Sequence, residues 1–215
     1  MQIAIPLYER FTALDAIGPY EVLSRLPGAK VTFVAKEAGM VRTDNDMLAL
    51  HADAAMSEIP EPDILVVPGG FGTRALLDDE EMLEWIAGAH EASTWTTSVC
   101  TGSLLLAAAG LLDGLDATTH WAAAGELEKL GAHYVEQRVV QQGKIVTAAG
   151  VSAGIDMALT LAAQIAGDDI AQTIQLYIEY DPQPPFDAGS PSKAPAAVMA
   201  LARAVGKTEQ VPARS

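Results

Sequence analysis

Cysteines, long apolar runs and targeting segments are scarce or missing in this 215-residue chain. The one cysteine, Cys100, has no partner for an intramolecular disulfide. The longest apolar run, at 104–112, has about half of the roughly 20 residues that a bilayer span needs. The opening residues, MQIAIPLYERF, lack the basic region and cleavable apolar stretch of a secretion signal. These absences favour a cytoplasmic protein without a membrane partner.

Positive charge is scarce too, since 13 Lys and Arg stand against 28 Asp and Glu for a formal net charge of −15. A field of this sign repels phosphate backbones, so nucleic acid is not an expected partner. Half of the residues are hydrophobic and 19% are charged, which is typical of a folded chain. The length favours one domain over residues 1–205, followed by a polar C-terminal tail over 206–215.

Short apolar runs alternate with segments of helical pattern along the first half of the chain. The runs IAIPL and ILVV are continuous, which is typical of strands covered on both faces. We therefore predict an α/β fold, a three-layer sandwich with a mostly parallel central sheet. The predicted strands are 2–7, 30–35, 63–70 and 94–100, and the predicted helices are 13–26, 80–92 and 101–112.

The second half of the chain completes this layout with fewer strands. The segment 138–150 is typical of a hairpin that turns at Gln142 and Gly143. The segment 181–195 is too rich in proline and glycine for regular structure. Further helices are predicted over 120–131, 151–166 and 196–205.

The segment SVCTGS at 98–103 carries the clearest chemical signal, because a strand ends, one residue forms the bend and a helix begins at once. This is the pattern of a nucleophile elbow, which exposes its bend residue at the carboxyl edge of the sheet. A lone cysteine is more often a small buried hydrophobic residue. Its position at the bend reverses that expectation for Cys100. A helix N-terminus would lower the pKa of the thiol, whereas burial or a nearby ionised carboxylate would raise it.

Two further segments should reach the same edge of the sheet. The loop PGGFG at 68–72 follows a strand, and the backbone amides of Gly70 and Thr101 could form an anion pocket there. Asp15 follows the first strand, and its carboxylate could exchange protons with a reacting group. The simpler interpretations are a glycine turn for the loop and a helix-dipole contact for Asp15.

Taken in order, LDAIGP, VVPGGFG, TSVCTGSLLLAAAGLLDG, ATTHW and GIDMALTLAA resemble the ThiJ/PfpI superfamily. The resemblance runs from about residue 1 to 200. The tail QLYIEYDPQPPFDAGSPSKAPA resembles that of the isonitrile hydratase branch. The family fold is flavodoxin-like, of the class I glutamine amidotransferase type.

Differences from other branches of the superfamily narrow the range of functions that we expect. Protease-like members follow the nucleophilic cysteine with histidine, whereas this chain has Thr101 there, so peptidase activity is not expected. Deglycase-like members carry glutamate where this chain has Asp15. Related regulators continue into a DNA-binding region of about a hundred residues, whereas this sequence stops at Ser215, so we do not expect that role.

The resemblance implies a cofactor-free and metal-free lyase that hydrates an isonitrile to an N-substituted formamide. Cys100 would form a thioimidate with the terminal carbon, with Asp15 as general acid and base and Thr101 as the third catalytic residue. Phe71 and Trp121 are candidates for the apolar wall around the substrate. His120 is either part of the site or a structural histidine. The resemblance further implies a homodimer.

Two other functions stay open at this point. One is a different cysteine-dependent activity of the superfamily, of glyoxalase or deglycase type, which would require polar groups around a small pocket. The other is a sensor of ligands or oxidation without turnover, because a reactive thiol is also a target of peroxide. His51, His90 and His133 show no metal-ligand spacing among themselves, and we expect them to fill surface or core positions.

Overall fold

The continuous apolar runs of the sequence form the middle of a seven-stranded sheet in the computed structural model, which describes residues 1–209. The strands of the described residues are β1 (Gln2–Pro6), β2 (Lys30–Ala35), β3 (Gly39–Arg42), β4 (Ala49–Ala52), β5 (Ala54–Ala55), β6 (Ile64–Val67), β7 (Trp95–Val99), β8 (Asp116–Ala117), β9 (His133–Tyr134), β10 (Val139–Gln142) and β11 (Ile145–Ala148). All residues of β6 and β11 are buried, as expected for strands with helices on both sides.

The order of the central sheet is β10-β11-β7-β6-β1-β2-β5. All of its pairs are parallel except β10 with β11, which form an antiparallel hairpin at one edge. The strands β3 and β4 form a separate antiparallel hairpin, and β8 and β9 form a two-stranded parallel pair. The carboxyl ends of the adjacent strands β11, β7, β6 and β1 therefore meet at one edge.

Two groups of helices flank this sheet. The helices of the described residues are α1 (Ala13–Leu23), α2 (Glu80–Ala92), α3 (Gly102–Ala108), α4 (Ala124–Lys129), α5 (Ala153–Ala166), α6 (Asp168–Tyr177) and α7 (Ala196–Glu209). Helix α1 packs against α5 and α5 against α6, whereas α3 packs against both α2 and α4. This arrangement confirms the predicted three-layer α/β sandwich with a mostly parallel sheet.

Several elements differ from the sequence prediction. The β3–β4 hairpin and helix α6 were not predicted, and α3 ends at Ala108 rather than at residue 112. The predicted hairpin is confirmed. Its turn lies at Gly143 and Lys144, one position later than predicted, and Gly143 has a φ of 60°. None of the described helices has the length and apolar character that a membrane crossing requires.

The described residues fall into two compact units, of which the first is Met1–Ile178 and the second begins at Glu179. In the second unit the predicted irregular segment lacks regular helix and strand, and Lys193 pairs with Asp187 at 3.0 Å. Helix α7 extends to Glu209, four residues beyond its predicted end. The predicted polar tail over 206–215 stays a prediction, since residues 210–215 lie outside the described residues.

Candidate active site

Cys100 forms the bend between β7 and α3 and has a left-handed backbone conformation, with φ at 56°. Its N–H donates to the carbonyls of Ala148 and Ala149 at 3.1 and 3.0 Å. Its carbonyl accepts from the hydroxyls of Thr119 and Ser103 at 3.0 and 3.2 Å. A non-glycine residue in this conformation costs about 1–3 kcal/mol, and these four bonds hold it there. Such strain is common at functional positions.

Gly102 allows the helix to begin immediately behind the bend. A Cβ at this position would lie 2.1 Å from the carbonyl oxygen of Val67 on the neighbouring strand β6. No larger side chain fits this approach. The small residue at position 102 thus lets α3 pack closely against β6.

Asp15 lies in the first turn of α1 and is fully buried. Its Oδ2 accepts a hydrogen bond from the Gly69 amide at 2.9 Å. Its Oδ1 accepts none within the described part of the chain, and the carboxylate lies beside the Cys100 thiol. Burial raises the pKa of Asp15 from its ordinary value of 3.8 to about 7, although the Gly69 amide and the Cys100 thiol oppose the rise. At neutral pH this carboxyl group is therefore able both to give and to take a proton.

The Cys100 thiol is buried, and its pKa lies well above the ordinary value. Burial is the largest cause and the charge of Asp15 the second, whereas hydrogen bonds from the backbone amides of Thr101 and Val151 lower the pKa. The sequence left the direction of this shift open. In the structure, the raised pKa keeps the Cys100 thiol neutral, and the Asp15 carboxylate beside it can accept its proton.

The glycine loop is bonded to both elements of the site. Gly69 donates its amide to Asp15, while Gly70 donates its amide to Thr101 Oγ1 at 2.9 Å. Thr101 Oγ1 in turn donates to the Gly70 carbonyl at 3.1 Å. The Gly70 amide is thus already engaged, and the anion pocket of Gly70 and Thr101 stays a prediction. The amides that reach the sulfur are those of Thr101 and Val151.

Val151 was not identified from the sequence. It follows β11, which pairs with β7, and its φ of 34° is unusual for a β-branched residue. Its contribution is a backbone amide, which leaves no side-chain signal. The available clue was its place directly after the predicted hairpin segment 138–150, at the edge of the sheet that holds Cys100.

His120 packs against the residue that precedes Val151. A Cβ at Gly150 would lie 2.8 Å from His120 Cδ2, so only glycine leaves room for the ring. His120 Nδ1 accepts from the Ala122 amide at 3.3 Å. Burial and the nearby charge of Arg74 lower the pKa of His120, which keeps the ring neutral at pH 7. The structure supports His120 as a packing residue near the site and leaves its chemical role open.

The two predicted wall residues have different neighbours. The Trp121 ring is half-buried with its centre 5.4 Å from that of His120. Phe71 follows the glycine loop, and the Arg10 guanidinium lies 5.6 Å from its ring centre. Contact of either ring with a substrate stays a prediction.

The other histidines lie away from the Cys100 bend. His51 faces Asp53 at 3.4 Å, His133 faces Asp116 at 3.7 Å, and His90 Nδ1 bonds Thr96 Oγ1 at 2.9 Å. Within residues 1–209, no three His, Cys, Asp or Glu side chains are grouped as a metal ion would require.

The fold and the site together define a class of protein. It is an α/β protein of the class I glutamine amidotransferase type, with a cysteine at a strand–helix bend and a buried carboxylate beside it. The chain belongs to the DJ-1/PfpI family, whose model matches residues 1–164. The resemblance inferred from the sequence motifs is confirmed.

Individual relatives give a finer comparison. An isonitrile hydratase from Pseudomonas putida is 46% identical over 203 residues, which cover 94% of this chain and 89% of that protein. The crystal structure of a THiJ/PfpI family protein from Pseudomonas syringae has a TM-score of 0.91 at 40% identity, covering 97% of this chain and 87% of that one. The HTH-type transcriptional regulator CdhR from Pseudomonas aeruginosa is 28% identical over 79% of this chain, but the match covers 51% of the regulator.

Proposed function

We propose that this protein is an isonitrile hydratase, which adds water to the terminal carbon of an isonitrile and releases an N-substituted formamide. The observation that carries the proposal is the Cys100–Asp15 pair, a neutral thiol beside a carboxyl group whose pKa is about 7. The similarity to the hydratase from Pseudomonas putida extends over nearly the whole chain and supports the same conclusion.

The first step needs a nucleophile and a proton at the same carbon. The ionised form of Asp15 accepts the proton of Cys100, and the thiolate sulfur attacks the terminal carbon of the isonitrile. The electron pair that remains on this carbon then takes the proton back from Asp15. The product is a thioimidate, in which the former isonitrile carbon carries one hydrogen, the sulfur and a double bond to nitrogen.

The second step consumes one water molecule. Asp15, ionised again, takes a proton from the water as its oxygen adds to the thioimidate carbon, and passes this proton to the nitrogen. As the adduct collapses to a carbonyl and the carbon–sulfur bond breaks, Asp15 carries the hydroxyl proton of the adduct to the departing thiolate. Isonitrile and water together contain every atom of the formamide, so the cycle needs no oxidant, reductant or group donor.

Backbone amides assist whenever the sulfur is charged. Thr101 and Val151 both donate to the Cys100 sulfur, which stabilises the thiolate as it attacks and as it leaves. The Thr101 hydroxyl is bonded to Gly70, so we assign its part in catalysis to its amide. The organic group of the isonitrile would lie against Phe71 and Trp121, with His120 at the margin.

The test is formamide production from a simple alkyl isonitrile such as cyclohexyl isocyanide. The parent protein should turn over, Cys100→Ala should lose all turnover, and Asp15→Asn should lose at least about a hundredfold in kcat/KM. An inactive parent with an alkylatable Cys100 would contradict the proposal. A glyoxal assay and mass spectrometry after mild peroxide would then distinguish the other cysteine-dependent activities from sensing.

We further propose that the protein is a cytoplasmic homodimer. A free Cys100 thiol must stay reduced, and reducing compartments maintain that state. Leu176 and Tyr177, consecutive residues of α6, are each 78% exposed, and a second copy could cover these large apolar side chains. Light scattering after size exclusion should give twice the 22.5 kDa of the chain, and a particle of the single mass would refute the dimer.

A further inference from the structure

The sequence Thr12-Ala13-Leu14-Asp15 has the spacing of a capping box, in which a hydroxyl at the N-cap and an acid three residues later cap the helix reciprocally. In the structure, neither side chain does so. Thr12 occupies the N-cap of α1, but its hydroxyl accepts no hydrogen bond from the helix amides. The Asp15 carboxylate is bonded to Gly69 and lies beside Cys100 instead.

The Thr12 hydroxyl is directed out of the helix. Thr12 Oγ1 donates to Asp44 Oδ2 at 2.7 Å. Asp44 lies in the loop of the β3–β4 hairpin, and its amide donates to the Phe11 carbonyl at 2.9 Å. Two hydrogen bonds thus join the hairpin loop to the residues that precede α1.

The same residues are bonded to the glycine loop. The Thr12 amide donates to the Gly69 carbonyl at 2.8 Å, the Gly69 amide donates to Asp15, and the Asp15 amide donates to the Thr12 carbonyl at 3.0 Å. These three hydrogen bonds form a closed ring of Thr12, Gly69 and Asp15. Asp44 connects this ring to the β3–β4 hairpin.

We propose that Asp44, held by Thr12, is a positioning residue of the active site, which orders the first turn of α1 and sets the charge that surrounds Asp15. This inference rests on the proposed function for its catalytic consequence. Asp44 would not touch the substrate. It acts through Thr12 and through its own negative charge.

The electrostatics agree with the geometry. The groups that act on ionisation of Asp15 are the Gly69 amide, the Cys100 thiol and the Asp44 carboxylate, and none of them is a cation. The charge of Asp44 adds to burial in raising the pKa of Asp15. On the neighbouring β1 loop, the buried Tyr8 hydroxyl donates to the Pro68 carbonyl at 2.6 Å, and its pKa is raised as well. It therefore stays neutral in the working range of pH.

Helix α5, which packs against α1, carries Asp156 in its first turn. This carboxylate is paired with Arg138, next to Ser152. It is not among the groups that shift the pKa of Asp15. Removal of the Asp44 charge should therefore lower the pKa of Asp15, because burial would act without the added repulsion.

The measurement is the rate of Cys100 alkylation by iodoacetamide against pH, which needs no isonitrile. Alkylation should increase as Asp15, the first member of the Cys100–Asp15 pair to ionise, becomes able to accept the thiol proton while the sulfur attacks iodoacetamide. In Asp44→Asn, which removes the charge but keeps an oxygen for Thr12, the midpoint of this rise should shift down by roughly 0.5 pH unit or more. In Thr12→Val, which frees the Asp44 side chain, it should shift in the same direction by less.

The matched control is Asp46→Asn on the same hairpin. Asp46 is 81% exposed and faces Arg42 at 3.5 Å, so removal of its charge should leave the midpoint unchanged. An unchanged midpoint in Asp44→Asn, or an equal shift in Asp46→Asn, would overturn the proposal. If the parent fails to hydrate isonitriles while the midpoint shifts as expected, the positioning role stands and the hydratase proposal falls. If the parent hydrates isonitriles while the midpoint is unchanged in Asp44→Asn, the hydratase proposal stands and the positioning role falls.

Discussion

Thr101 and Gly70 exchange two hydrogen bonds through a single hydroxyl group. Thr101 Oγ1 accepts from the Gly70 amide at 2.9 Å and donates to the Gly70 carbonyl at 3.1 Å. Both residues are buried, so water cannot replace either bond. The residue after Cys100 therefore fixes the glycine loop in place, and the same loop supplies the amide that holds Asp15.

Replacing Thr101 with valine keeps the shape of the side chain and removes both bonds. A buried amide left without a partner costs about 1–3 kcal/mol, so the free energy of unfolding should fall by that amount. Because the loop also positions Asp15, kcat/KM for an isonitrile should fall at least about tenfold. Thr101→Ser keeps the hydroxyl and should retain most of both properties. A larger loss in Thr101→Ser than in Thr101→Val would show that the methyl group, rather than the hydrogen bonds, is what matters.

Gly69, in the glycine loop itself, is a second position at which a substitution should disturb the site. A Cβ there would lie 2.5 Å from the Thr101 amide nitrogen and 2.9 Å from Asp15 Oδ2. Gly69→Ala should therefore displace the loop, lower the free energy of unfolding by about 1–3 kcal/mol and abolish most hydratase activity. Chemical denaturation and the formamide assay measure the two effects.

Gly88 provides the matched control for this substitution. It lies on the exposed face of α2, and a Cβ there would meet nothing within 4 Å. Gly88→Ala should raise the free energy of unfolding by roughly 0.5–1 kcal/mol, because alanine favours the helix, with activity unchanged. A Gly69→Ala variant that behaves like Gly88→Ala would mean that the loop has more room than the contacts indicate.

The sequence predicts the parts of this protein that have a local pattern. The bounds of β2 and α2 agree residue for residue, because an apolar strand and an acid-capped amphipathic helix are each complete within their own segments. Helix α6 was missed because its sequence, DDIAQTIQLY, is polar on most of its surface and buries only Ala171 and Ile174.

The residues of the candidate site also divide into those with a local sequence pattern and those without one. Cys100 and Asp15 are recognisable because their side chains follow predicted strands. The contributions of Val151 and Asp44 are not recognisable from the sequence. Val151 contributes a backbone amide, and Asp44 comes from a hairpin with a mixed pattern of apolar and polar residues. Contacts between distant segments determine both, and local patterns do not encode such contacts.

Lys144 lies at the edge of the sheet opposite the candidate active site. It precedes β11, and its ammonium group donates to the carbonyls of His90, Glu91 and Ser93 around the C-terminal end of α2. Lys144→Met should lower the free energy of unfolding by about 1–2 kcal/mol, since the carbonyls lose a charged donor at the negative end of the helix dipole. Activity should be unchanged. The exposed Lys30 at the start of β2 is the control, and a comparable loss in Lys30→Met would point to net charge instead.

Asp15 should make the protein less stable as the pH rises. Its pKa is 3.8 in an ordinary environment and about 7 in the folded protein. A group whose folded pKa is raised contributes stability that is complete below the unfolded value and is lost as the pH rises through the folded value. Between about pH 5.5 and about pH 8, the parent should lose about 2 kcal/mol that Asp15→Asn does not lose.

Urea unfolding of both proteins at several pH values measures this difference. Titration of His90, whose pKa burial lowers, is common to parent and variant and cancels in the comparison. Cys100 does not interfere either, because its raised pKa places its titration above this range. Parallel stability curves for the two proteins would mean that Asp15 stays ionised in the fold. In that case the first proton transfer, from the Cys100 thiol to the ionised Asp15, would be available at every pH in this range.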